Sequence, residues 1–168
     1  MTFQVGEKVV YPNHGVGTIE NISSRAFGSQ LERFYLLRLA PNSMTVMVPF
    51  SHAGDIGLRK VTKGSEVTRV LAYLAAGRPC CAHDWKDRFK ENSDKMKGGL
   101  LDIAAVFKTL LVLQRTKTLS FREKRMLERA RAMIVSETSI AKSISESEAE
   151  NLIDKALSKC GLRMPRAL

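Results

Sequence analysis

The chain has 168 residues, 44% hydrophobic and 26% charged, enough for one ordinary domain or two small ones around a buried core. It has no run of about 18 apolar residues, and its N-terminus lacks a basic stretch followed by an apolar run and a small-residue cleavage site. Neither a membrane span nor a signal peptide is expected, and the protein should stay in the cytoplasm. The formal net charge of +10 is unevenly placed: residues 1–62 carry 6 Lys+Arg against 4 Asp+Glu, residues 63–168 carry 21 against 13, and residues 86–131 alone carry 13 against 6. Such a stretch is either a nucleic-acid face or a pair of well-solvated helices.

From Val5 to Val61 the pattern is β. Lys8–Tyr11, Gly17–Ile22, Phe34–Leu39 and Met44–Pro49 are short runs rich in β-branched and aromatic residues, separated by turn signals at Tyr11–Gly15 and Ala40–Ser43. Four or five short antiparallel strands in about 60 residues curl into a small barrel or half-barrel, with at least one edge strand able to pair with another protein. Strand alternation puts Val46 and Val48 on one face and Met47 on the other.

After Val61 the texture becomes helical. Ser65 is the expected N-cap for an apolar stripe of Val67, Val70, Leu71 and Leu74, which Gly77-Arg78-Pro79 ends. Asp84 caps the next helix, beginning at Trp85 and ending at Gly98-Gly99. Leu100 to about Leu113 is apolar enough to be the central helix of a bundle. Ser120 with Glu123 forms a capping box opening a helix through Ala141, and Ser145 with Glu148 repeats the device before a last helix ended by Gly161. The fold class is therefore α+β: a small antiparallel β-barrel over 1–62 followed by a compact all-α domain over 63–168.

Trp85, the single tryptophan, sits in Asp84-Trp85-Lys86-Asp87-Arg88-Phe89-Lys90. Two readings are open. Trp85 and Phe89 share a helical face and can pack inward together; alternatively, an aromatic plane among cations can reach DNA and wedge against a base step. Lys86, Arg88 and Lys90 alternate and cannot all share one helical face, so two at most are expected to reach phosphates. Lys124 and Arg125 open the long helix, either binding backbone phosphate or standing as a solvated first turn.

No phosphate-binding glycine loop, Gly-x-Ser-x-Gly elbow or His-Glu-x-x-His is present, and His14, His52 and His83 are scattered, so no catalytic residues are expected. Cys80, Cys81 and Cys160 are an odd number with irregular spacing, which reads as reduced thiols. Cys80-Cys81-Ala82-His83 has no second ligand pair, so no metal or other cofactor is expected.

The opening Phe3-Gln4-Val5-Gly6-Glu7-Lys8-Val9-Val10-Tyr11-Pro12-Asn13-His14-Gly15-Val16-Gly17 resembles that of the CarD/CdnL transcription regulators, whose N-terminal domain is shared with the polymerase-interacting domain of the transcription-repair coupling factor. The likeness continues through Met44–Pro49 and Val61, then at Trp85–Lys90 and Leu119–Leu127. It implies a bacterial global regulator, not an enzyme. A Tudor-like N-terminal domain would grip the lobe of the RNA polymerase β subunit, and a helical domain would touch promoter DNA. The family's tryptophan enters the minor groove at the upstream edge of the bubble and stabilises the open complex; Trp85 holds that position. Arg25 matches a polymerase-contacting arginine. Val46, Met47 and Pro49 lie on the strand expected to pair with the β subunit, and Met47 stands where some members have a second arginine. Trp85, Lys86, Arg88, Lys90, Lys124 and Arg125 form the expected DNA set, although Asp87 stands where some members are basic. A monomer is expected. The alternative is a free-standing nucleoid or RNA-binding protein whose barrel reads nucleic acid without a polymerase partner.

Overall fold

The computed structural model describes residues 2–40, 43–79 and 84–166. The chain divides into a β unit, Met1–Val61, and a helical unit, Thr62–Leu168.

The β unit is one antiparallel sheet of β1 (Lys8–Tyr11), β2 (Gly15–Phe27), β3 (Gln30–Leu39), β4 (Thr45–Pro49) and β5 (Arg59–Lys60), in the order β4-β3-β2-β1-β5. β4 and β5 are therefore its edges. A register shift between Ile19 and Asn21 marks an irregularity in β2, of the kind that bends a strand and sharpens its twist. At Gly17 a Cβ would lie 2.8 Å from the Arg38 carbonyl oxygen, so only glycine permits β2 and β3 to approach there.

One face of the sheet closes over Phe3, Val9, Ile19, Tyr35, Leu37, Leu39 and Val48, with Ala53 and Leu58 from the segment joining β4 to β5. Tyr35 organises this core: its ring stacks on Phe50 at 4.0 Å, meets Phe3 edge-on at 5.5 Å, and its hydroxyl accepts from the Phe3 backbone N–H at 3.1 Å. A buried phenol left without that partner would cost about 1–3 kcal/mol.

The β2–β3 hairpin is longer than the sequence pattern predicts. Pairing continues from Ser23↔Phe34 to Phe27↔Gln30, closed by Gly28 at φ 63° and Ser29. Ser23-Ser24-Arg25 and Gly28-Ser29 read as turn material because beyond Ile22 the hairpin leaves the core, and an exposed ladder needs no apolar alternation.

The helical unit contains α2 (Gly64–Ala76), α3 (Trp85–Lys95), α4 (Leu100–Thr116), α5 (Phe121–Lys142) and α6 (Glu146–Ser158), with the four-residue α1 (Ala53–Ile56) belonging to the β unit. α4 packs against α2, α3 and α5. Burial of Leu100, Ile103, Val106, Phe107, Leu110 and Leu111 places it at the centre of the bundle. Its one buried cation, Lys108, donates to the Tyr73 carbonyl at 2.9 Å near the C-terminus of α2, where the helix dipole favours positive charge.

Two helix starts differ from the expected ones. α2 begins two residues earlier than Ser65 implies: Lys63 is the N-cap and contributes no side-chain bond, and Ser65 lies inside the first turn. At α5 only half of the capping box forms. Ser120 Oγ accepts from the Glu123 N–H, while the Glu123 carboxylate is taken by Arg88. Ser145 and Glu148 make the complete box at α6. Among the described residues, no helix is long and apolar enough to cross a membrane.

Candidate nucleic-acid interface

Trp85 is the first residue of α3, set there by Asp84, whose carboxylate accepts from the Lys86 N–H at 3.3 Å. A first-turn residue has no preceding turn to pack on, and Trp85 is 60% exposed. The Lys86 ammonium lies 5.7 Å from the centre of its ring. Phe89, one turn on, is half-buried, with the Arg122 guanidinium 5.9 Å from its ring centre. The two aromatics therefore do not pack inward together; only Phe89 anchors the helix.

The basic residues of α3 separate by face. Lys86 and Lys90, four apart, are exposed, whereas Arg88 and Asn92, also four apart, are buried. Arg88 is 5% exposed, and its guanidinium meets the Glu123 carboxylate in a fork, Nε to Oε2 at 3.2 Å and Nη2 to Oε1 at 3.4 Å. This corrects the expectation for Arg88: both carboxylate oxygens engage it, so it holds α3 to α5 and presents no charge to a phosphate.

That ion pair brings the starts of α3 and α5 together. Phe121, the first residue of α5, is 73% exposed, with the Arg125 guanidinium 5.3 Å from its ring centre. Lys124 is exposed one position before Arg125. The surface therefore carries two exposed aromatics, each beside a cation, and Lys90, Lys124 and Arg122 around them. Phe121 and Arg122 are additions to the residues singled out from sequence. A signal for them exists: Ser120-Phe121-Arg122-Glu123-Lys124 repeats the cap, aromatic, base, acid, base order of Asp84-Trp85-Lys86-Asp87-Arg88.

In the β unit, pairing decides which residues share a face, because directly opposed residues point the same way and alternate residues along a strand point the same way. The pairs Arg25↔Glu32, Phe27↔Gln30, Ser23↔Phe34↔Pro49 and Asn21↔Leu36↔Met47 put Arg25, Phe27, Met47 and Pro49 on the face away from the core. Phe27 is 58% exposed and its ring lies 6.0 Å from that of Phe34. The Glu32 carboxylate accepts from Ser51 Oγ. Arg25 is exposed and has no ion pair among the described residues. Val46 opposes Leu37 and packs on the core, on the face it shares with Val48, so it can offer an outside partner only its backbone on the β4 edge.

Cys80, Cys81 and His83 lie outside the described residues. The Cys160 thiol donates within the bundle to the Leu74 and Leu157 carbonyls. Among the described residues, no three His, Cys, Asp or Glu side chains are placed to hold a metal ion.

Compared with known proteins, residues 3–62 match the CarD-like/TRCF RID domain and residues 69–154 match the CarD C-terminal domain. The chain is also 33% identical over 147 residues, 87% of its length and 96% of the relative's, to the Bacillus subtilis (strain 168) protein named "Putative transcription factor YdeB". Both domains are present in the family's order, and the chain belongs to the CarD-like family of transcription factors.

Proposed function

We propose that this protein binds RNA polymerase through its β unit and uses the joined starts of α3 and α5 to stabilise melted promoter DNA. The observation that carries this reading is Trp85, 60% exposed at the first position of α3, with the exposed Lys86 over its ring, Arg125 over that of Phe121, and Lys90 and Lys124 without an ion pair among the described residues. Unstacking a base step costs a few kcal/mol, and less where strands are already parting. A wedge placed at the upstream edge of the bubble therefore binds the open state better than the closed one. Only such a difference in affinity shifts the equilibrium. Lys86, Lys90, Lys124 and Arg125 supply sequence-tolerant attraction to phosphates. Tethering to polymerase makes weak DNA binding effective by raising local concentration.

For the polymerase contact, β4 offers an unpaired edge and the outer face offers Arg25, Met47 and Pro49 beside Phe27. The proposed partner is the lobe of the β subunit, a reading supported by the β4 edge open to strand addition and by the exposed Arg25, without an ion pair among the described residues. With Met47 in place of an arginine, the contact there is apolar. A barrel that reads nucleic acid without polymerase is less well supported, because Tyr35 and Phe34 are buried and Tyr11 packs on the core.

Adding the protein to preformed polymerase–promoter complexes should lengthen their lifetime in a competitor-challenge dissociation assay; an unchanged lifetime contradicts the proposal. Arg25→Glu, on an exposed strand, should leave the β unit folded by circular dichroism. It should weaken capture of the β-subunit lobe by about 2 kcal/mol or more, roughly 30-fold, because a reversed charge meets a site selected for a cation. Wild-type capture by the variant would move the interface elsewhere.

A further inference from the structure

After α6 the chain does not trail away. Gly161, at φ 75°, turns it back, Leu162 buries to 5% exposure, and residues 161–166 lie along the helical unit. Three backbone groups are pinned: Arg115 donates to the Gly161 carbonyl, Asp154 accepts from the Met164 N–H at 2.8 Å, and Arg131 donates to the Pro165 carbonyl at 2.9 Å. Arg131 is itself held by Glu150 at 3.0 Å. Arg163 and Arg166, the tail's own arginines, are exposed and have no ion pair among the described residues. Ordering a segment this way costs backbone entropy at each residue, on the order of 1–2 kcal/mol, yet its two longest side chains point out unpaired.

The tail walls two surface clefts. One, of about 440 Å³, is lined by Lys124, Glu128, Arg131, Pro165 and Arg166 among others. The second, of about 260 Å³, includes Arg115, Gly161 and Arg163. Both include Gln114 near the end of α4, so they lie side by side. At 100° per residue, Lys124 stands only about 60° around α5 from Phe121, and Arg125 about 40° on its other side. The first two turns of α5 thus carry a band of positive charge from the Trp85 and Phe121 surface to the tail, with Glu128 as the one acid lining the clefts. The tail lies beyond the segment, 69–154, that matches the family's C-terminal domain.

We infer that Lys124, Arg163 and Arg166 form a second contact with the phosphate backbone of duplex DNA, continuing along α5 from the aromatic surface. This rests on the reading of that surface as a DNA interface. Arg115 and Arg131 are positioning residues that hold the tail against the bundle, and Arg163 and Arg166 make the contacts. A continuous basic run fits a regularly charged backbone, whereas one acidic peptide would meet only part of it.

The test is duplex affinity of the full chain, measured by fluorescence anisotropy across a salt series, for wild type, Arg163→Gln/Arg166→Gln and Trp85→Ala. Each lost phosphate contact lowers the slope of log affinity against log salt by about 0.9. The double variant should therefore lose about 1.8, so that between about 50 and about 200 mM salt its affinity falls roughly 12-fold less than wild type's. Trp85→Ala should leave the slope unchanged and alter affinity for intact duplex little, because its contact is gained on a parted base step. An unchanged slope in the double variant overturns the tail contact and leaves the Trp85 reading standing if Trp85→Ala still shortens open-complex lifetime. A normal slope with reduced capture of polymerase would assign the tail to an acidic protein surface instead and equally overturn it.

Discussion

Arg88→Ala is expected to destabilise the helical unit by about 3–5 kcal/mol, because it leaves the Glu123 carboxylate buried without its counter-charge. Both side chains are nearly closed to solvent, 6% and 9% exposed, so water cannot substitute for the missing partner. For a unit of this size the loss corresponds to a fall in Tm on the order of 15–30 °C, read by thermal circular dichroism. The paired replacement Arg88→Met with Glu123→Leu should recover much of that loss, since two apolar side chains remove both charges together. A phosphate-contacting arginine would behave differently. Its removal would leave Tm almost unchanged and lower the salt slope of DNA binding by about 0.9. The two outcomes separate a residue that builds the DNA surface from one that belongs to it.

Trp85→Ala carries the second large effect, on function with little on stability. The side chain is mostly exposed, and its helix keeps the Asp84 cap and the Arg88–Glu123 tie, so the fold should be retained. Base–aromatic stacking is worth about 1–3 kcal/mol by alanine substitution. If that free energy is gained only once the base step is unstacked, open-complex lifetime should shorten by a factor of roughly 5–150, with the lifetime of polymerase alone as its floor. Trp85→Phe should retain part of the effect. Lys86→Gln, by contrast, should weaken encounter more than lifetime, because its charge attracts closed and open DNA alike.

The division into a strand-rich and a helix-rich part was legible because each has its own apolar period, two along β3 and three to four along α2 and α4. The caps at Asp84, Ser120 and Ser145 were legible as well, since capping needs only a short polar side chain at one position. Arg88 was not. Its spacing from Lys86 and Lys90 shows that the three cannot share a face, but which face turns inward depends on Glu123, 35 residues away in sequence. The half-formed box at Ser120 goes with the same distant pairing: the Glu123 carboxylate meets the Arg88 guanidinium and accepts from the Ser120 hydroxyl at 3.2 Å rather than from the cap N–H. Val46 illustrates the reverse case. Alternation along β4 separated it from Met47, yet only the register with Leu37 shows which of the two faces the core. Phe121 shows its exposure only through its place in the fold: at the first position of α5 it has no preceding turn to pack on and is 73% exposed.

The aromatic surface owes its form to a division of labour within one heptapeptide. Arg88 and Phe89 secure α3, so that Trp85 and Lys86 can remain outside at its start and Lys90 one turn further on. α5 repeats the arrangement, with Glu123 inward and Phe121, Lys124 and Arg125 outward. In the proposed function, charge brings this surface to DNA and the aromatic planes give it a preference for a parted base step.

The central claim is that Trp85 stabilises the melted promoter selectively. It is tested most directly by the dissociation rate of preformed open complexes in the presence of saturating wild-type protein or Trp85→Ala, with equal polymerase occupancy verified for both. A dissociation rate at least about five times faster with the variant is the predicted result; identical rates at equal occupancy would contradict it.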